Sequence, residues 1–258
     1  MFHGEHPPVK ARILALVNQK GGVGKTTTAV NLGASLATLE KRVLVVDLDP
    51  QANTTSGLGL PKRSDGTTSY ELLRGEAPAP HATAFPNLFL VPSSRDLVGA
   101  EIELVGEPER EFRLARALSP HRGEFDYILV DCPPSLGLLT VNALCAADAV
   151  LIPIQCEYYA LEGVSDLLDT IGRVREGLNP GLGIEGVLLT MYDERTNLSR
   201  QVAADIRGHF GSTVYDTLIP RSVRLAEAPS FGKPILAYDV KSRGSEAYLK
   251  LAGEVLSR

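Results

Sequence analysis

Lys20-Gly21-Gly22-Val23-Gly24-Lys25-Thr26-Thr27 is the stretch whose residue types and spacing best suit chemistry on phosphate. Glycines in a turn between a strand and a helix let backbone N–H groups close around an anion, and the helix start adds the positive end of its dipole. Lys25 is placed to reach the outer phosphates of a nucleotide, and the Thr26 hydroxyl to complete the shell of a Mg²⁺ ion. A plain glycine turn carrying an exposed lysine is the alternative, and the strand and helix patterns on either side argue against it.

The general P-loop pattern wants glycine five residues before Gly24, where this chain has Gln19. Lys20 opens the loop instead. A second lysine beside a phosphate already held by Lys25 is favourable only where a large negative charge is bound.

Three carboxylates join this loop. Asp47 and Asp49 end an apolar run in Asp47-Leu48-Asp49-Pro50-Gln51. Alternation puts both on one face at a strand's C-terminal end, where ligands gather in open α/β sheets. Asp131 follows the run FDYILV and is placed to hold Mg²⁺ through water. For all three, the alternative is an acid that merely starts a turn.

These groups need elements to position them. Arg12 to Asn18 reads as a buried strand and Thr26 to Leu39 as a helix with Ala29, Leu32, Leu36 and Leu39 on one side. Arg42 to Leu48 reads as a second buried strand, so the chain opens with a βαβ unit, which requires a parallel sheet. Residues 56–84 read as an irregular excursion with one helical turn at Tyr70 to Leu73. Beyond it, strands are expected at Leu88–Val91, Phe125–Val130, Ala149–Ile154, Gly186–Thr190 and Val214–Ile219. Helices are expected at Ala100–Leu118 (interrupted by Pro108), Thr140–Ala147, Leu161–Glu176, Ser199–Phe210 and Gly244–Leu256. This alternation predicts an α/β fold: a single doubly wound, mostly parallel sheet with helices on both faces. Residues 11–258 are read as that one domain and 1–10 as a flexible tail, in which His3 and His6 are not taken as metal ligands.

Composition fits. The chain has 258 residues, 44% apolar and 22% charged, which favours a folded core over disorder. Cys132, Cys145 and Cys156 have no paired spacing and read as buried apolar residues rather than a disulfide framework. No apolar run is long enough to span a membrane, and the N-terminus lacks the apolar stretch of a signal peptide.

The loop resembles the deviant Walker A motif of the ParA/MinD/nitrogenase-iron-protein ATPases. Within that group, six segments resemble the ParA/Soj chromosome- and plasmid-partitioning ATPases. They are DLDPQANTTSGLG from Asp47, GAEIEL from Gly99, DCPPSLGLLTVNAL from Asp131, IQCEYYALEGVSDLL from Ile154, GVLLTMYDERTNLSRQV from Gly186 and IPRSVRLAEAPSFGKPI from Ile219. The resemblance runs from about Ile13 to Leu256.

It implies ATP and Mg²⁺ as cofactors. Lys20 to Thr27 would bind the phosphates, and Lys20 would reach the nucleotide of a second subunit, so that ATP drives homodimer formation. Asp49 would position the attacking water, while Thr26, Asp47 and Asp131 would form the Mg²⁺ site, with Asp47 the more structural of the two acids that end the second strand. Pro220 to Ser222 would flank the base. Many relatives carry asparagine at the position of Ser222. No Asn-Lys-x-Asp signature is present, which favours ATP over GTP.

The resemblance further implies slow hydrolysis, non-specific binding of double-stranded DNA by the ATP dimer, and a ParB-type partner, in a cytoplasmic, nucleoid-associated protein. The chain's net charge is -5, yet Arg195 to Arg258 carries +4, leaving -9 elsewhere. Arg195, Arg200, Arg221 and Arg224 are the candidate phosphate contacts, set against the reading that they are solvated or paired within the protein. Two rival branches make testable demands. A MinD-type membrane regulator needs a basic amphipathic C-terminal helix, whereas Tyr248 to Leu256 reads as packed on the domain. An iron–sulfur ATPase needs two cysteine ligands per subunit, and Cys132 has no convincing second.

Overall fold

The computed structural model describes residues 10–62, 68–76, 79–158, 160 and 164–258. Residues 1–9 of the expected tail and 161–163 of the expected Leu161–Glu176 helix lie outside them. The strands are β1 (Arg12–Leu16), β2 (Val43–Asp47), β3 (His81–Ala82), β4 (Leu88–Val91), β5 (Tyr127–Asp131), β6 (Ala149–Gln155), β7 (Gly183–Tyr192) and β8 (Val214–Pro220). The helices are α1 (Lys25–Thr38), α2 (Asn53–Gly57), α3 (Ser69–Leu73), α4 (Leu97–Glu103), α5 (Arg113–Leu118), α6 (Leu138–Ala146), α7 (Val164–Gly177), α8 (Asn197–Phe210), α9 (Val223–Glu227), α10 (Ile235–Tyr238) and α11 (Arg243–Ser257).

The strands form one sheet in the order β3-β4-β2-β5-β1-β6-β7-β8. Every pairing is parallel except β3 with β4. Parallel strands need long crossovers, and the crossover helices cover both faces, so the central strands must be apolar on both sides. Ile13, Ala15 and Val17 face one core, with α3 to α8 over it, while Leu14 and Leu16 face the other, under α1, α10 and α11. Burying each such Leu or Ile is worth about 2 kcal/mol, which is why these short runs hold the sheet centre. The doubly wound reading holds.

Two local readings are refined. The interrupted 100–118 helix is two helices, α4 and α5, joined by 3₁₀ turns on either side of Pro108. The turn at Tyr70 to Leu73 is α3, started by a capping box in which Thr68 and Glu71 satisfy each other's backbone donors. The C-terminal helix packs as expected. Ala247, Tyr248, Leu251, Ala252 and Val255 of α11 are buried, and the Tyr248 hydroxyl lies 3.1 Å from Thr28 Oγ1 on α1.

Candidate active site

The chain leaves β1 and is pinned at once by Asn18. Its Nδ2 donates to the Pro153 carbonyl on β6 (2.8 Å), and its Oδ1 accepts from the Lys20 amide (2.9 Å). Thr190 at the end of β7 donates to the Val23 carbonyl (2.8 Å), holding the far side of the loop. Gly24 adopts φ +91°, a left-handed turn that only glycine takes without strain, and lies against Thr190.

Helix α1 then starts at Lys25 without a side-chain cap or an acid in its first turn. Helices α3, α8, α9 and α11 instead use Thr68, Thr196, Ser222 and Ser242 as caps. An uncapped start leaves amide donors and dipole available to an anion. Lys25 is buried, with its Nζ on the carbonyls of Asn18 (2.8 Å) and Lys20 (3.2 Å). Burial lowers its proton affinity, and Asp131 and Asp49 act the other way. Gly21, Gly22 and Thr27 complete the loop. Lys20 is exposed, and its ammonium has no ion pair among the described residues.

Asp47 and Asp131 end neighbouring strands as register partners. Asp131 is fully buried, and its Oδ2 accepts from Thr26 (2.8 Å) and Thr54 (2.7 Å). Its Oδ1 is buried with no hydrogen-bond partner. Asp47 Oδ2 accepts from the Thr55 amide (2.8 Å) and hydroxyl (2.6 Å), and its Oδ1 from the Asp49 amide (3.2 Å). Burial first, and then the neighbouring carboxylate, pushes Asp47 up to about 7. Burial, opposed by the two threonine hydroxyls, pushes Asp131 up to about 6. A buried carboxylate with raised proton affinity and an orphaned oxygen is a place for a cation. Thr26 and Asp131 therefore fit a Mg²⁺ ion. Asp47, also expected at the metal, has both oxygens taken by Thr55 and the Asp49 amide, which ties α2 to β2.

Asp49 is buried beside them. Its Oδ1 accepts from the Gln51 amide (2.9 Å) and its carbonyl from Ala52 (2.9 Å). Ala52 sits at φ +53°, a strained turn for alanine that begins α2.

Pro220 ends β8 and pairs with Tyr192, two residues beyond Thr190. Ser222 caps α9 through the Leu225 amide (3.5 Å), which is a structural task for its hydroxyl. The four arginines are not one cluster. Arg195 and Arg221 line a groove of about 1010 Å³ with Arg243 and Lys250, neither of them expected, and with the acids Asp193, Glu194, Asp216, Glu246 and Glu254, whereas Arg200 and Arg224 do not line it. Arg195 pairs with Asp193 (2.7 Å), Arg221 with Glu157, and Arg224 with Glu227 (3.1 Å) and Asp239 (3.5 Å). Arg200 bonds Asn197. Most of these pairs are exposed and weak enough to open. The phosphate loop, not this groove, holds the convergent buried charge. All three cysteines are free. Burial raises their thiols, to about 11 for Cys145 and Cys156, and the Cys132 Sγ rests on the Val130 carbonyl.

Sequence reasoning missed Asn18, Thr54, Thr55 and Thr190. Thr54 and Thr55 lie in the segment DLDPQANTTSGLG that carries the resemblance, but nothing in their local pattern assigned them a partner.

An anion cradle that opens onto a cation-seeking carboxylate at the C-terminal edge of a parallel sheet defines a P-loop nucleotide-binding protein, and Lys20 places it in the deviant Walker A class. Residues 11–184 match the family described as an AAA domain. The chromosome partitioning protein ParA of Caulobacter vibrioides is 58% identical over 252 residues, 96% of this chain and 94% of that protein. The sporulation initiation inhibitor protein Soj of Bacillus subtilis is 58% identical over 247 residues, 95% of this chain and 98% of that protein. A solved structure of cobyrinic acid a,c-diamide synthase from Mycobacterium smegmatis, with bound ADP and magnesium, superposes with a TM-score of 0.84. It is 40% identical and covers 95% of this chain and 94% of that one. The chain belongs to the ParA/Soj family of partitioning ATPases.

Proposed function

We propose that the chain is an ATP-dependent dimeric switch of chromosome or plasmid partitioning. The exposed Lys20 ammonium carries this reading. Lys25 already turns inward to the loop's own carbonyls, so a second, outward lysine at the same mouth is suited to phosphate that another copy of the chain presents.

In this reading the α1 start and Lys25 bind the phosphates of ATP, with Pro220 and Ser222 flanking the base. Thr26 and Asp131 hold Mg²⁺, which when bound neutralises charge across the outer phosphates. Asp49 orients the attacking water. With Asp49 as the group assigned to the water, turnover is slow and the bound nucleotide acts as the signal. The dimer holds double-stranded DNA through phosphate contacts centred on Arg195 and Arg221. A ParB-type partner accelerates hydrolysis in a cytoplasmic, nucleoid-associated protein. The MinD-type alternative is less favoured because the apolar side of α11 is spent against α1 and β8. No helix among the described residues is long and apolar enough to cross a membrane.

Sedimentation with ATP, ADP or no nucleotide, on the parent and Lys20→Ala, tests the switch. Dimers should form with ATP in the parent and fail in the variant, and DNA should be retained only by the ATP-bound parent. ATP-driven dimers of Lys20→Ala equal to the parent's would remove the cross-subunit role.

A further inference from the structure

Thr54 has no part in the reading above, yet it is fully buried, and its hydroxyl makes a 2.7 Å bond to Asp131 Oδ2. Thr26 donates to the same oxygen at 2.8 Å. Two donors on one oxygen fix the rotation of the carboxyl group and leave Oδ1 as the oxygen held ready for a further partner. That is the orphaned atom. The two donors come from different elements: Thr26 from the first turn of α1, and Thr54 from α2, which follows Asp49.

We propose that Thr54 is a positioning residue that orients Asp131 toward the Mg²⁺ side of the site. The proposal rests on the assignment of Thr26 and Asp131 to that ion. Groups that hydrogen-bond a metal-side carboxylate fix its direction and tune its affinity, and their loss typically weakens metal binding by about 10- to 100-fold. The plainer role for Thr54 is to anchor α2 to the sheet. Thr55 already does that on the neighbouring strand, through the Asp47 carboxylate and the Ser93 amide (2.9 Å). Thr54 instead adds a bond to Asp131, whose other oxygen is buried and without a hydrogen-bond partner.

The test is binding of a fluorescent ADP analogue titrated with Mg²⁺, in the parent, Thr54→Val and Thr54→Ser. Valine keeps the shape and removes the donor, while serine keeps the donor. The Mg²⁺ midpoint should rise about 10-fold or more in Thr54→Val and stay with the parent in Thr54→Ser. Binding in EDTA, which reads the phosphate loop alone, should be equal in all three. If Thr54→Val does not fold, Thr54→Ala carries the same expectation. A parent-like Mg²⁺ midpoint in the valine variant overturns the proposal, as does an equal loss with and without Mg²⁺. A parent that shows no Mg²⁺ dependence overturns the metal assignment as well, so the two failures are distinguishable.

Discussion

Asp47 and Asp131 stand side by side at the C-terminal ends of adjacent parallel strands, both fully buried. Neighbouring strands run about 4.8 Å apart, and at that separation two unit charges repel by about 3 kcal/mol in a medium of effective dielectric about 20. Thr26, Thr54, Thr55 and the Asp49 amide offset part of this, with Lys25 nearby. The site is thus built to be completed by positive charge.

That strain should appear in the pH dependence of the metal- and nucleotide-free protein. Both acids have folded-state proton affinities above those of the unfolded chain, with Asp47 pushed up to about 7. The native state therefore binds more protons than the unfolded state between about 4 and about 7. Stability from this pair is greatest at the acid end of that window and declines as pH rises through it. Urea unfolding at about pH 5 and about pH 8 should show the decline, with a shallower slope in Asp47→Asn. Saturating Mg²⁺ and ADP should flatten it. An equal slope in parent and variant would contradict the strained pair.

Asp49→Ala should lower ATP turnover by at least about 100-fold while leaving nucleotide binding intact, because a positioned base contributes about that factor or more. The variant should accumulate as an ATP-bound dimer that retains DNA. Phosphate release near the parent rate would remove the water-positioning role.

Gly232 and Gly59 cross backbone to backbone, joining the segment after α2 to the loop before α10. A Cβ on Gly232 would lie 2.7 Å from the Gly59 Cα, and Gly232 already has φ +63°. Gly232→Ala should destabilise the fold by about 2 kcal/mol or more, from left-handed strain plus the clash. A denaturation midpoint unchanged from the parent would show that the crossing can relax.

Arg195 and Arg221 share a groove with Arg243 and Lys250, and Arg224 lies outside it. Replacing Arg195 and Arg221 with Ala should weaken DNA binding and lower the salt slope by about 1 per lost phosphate contact. Arg224→Ala, outside the groove, tests whether the contacts extend beyond it. Equal losses from all three would show that phosphate binding is spread over the whole basic segment.

What was legible in the sequence was whatever neighbouring residues encode. Strand runs, helix spacing and the glycine loop are local patterns, so the βαβ start, Lys20, Lys25 and Thr26 could be read directly, and so could the placing of Asp47, Asp49 and Asp131 at strand ends. The boundaries of α4 and α5 and the short α2, α9 and α10 were not legible, because helices of four to seven residues take their stability from packing rather than from propensity. Strand order is a property of the whole chain. It alone made Asp47 and Asp131 neighbours across 84 residues, left one oxygen of Asp131 without a partner, and brought Thr54 onto the other. It also divided the four arginines between a groove and the surface beyond it. Residue types and spacing specified the phosphate loop, while the carboxylate cluster that faces it exists only once distant strands have paired.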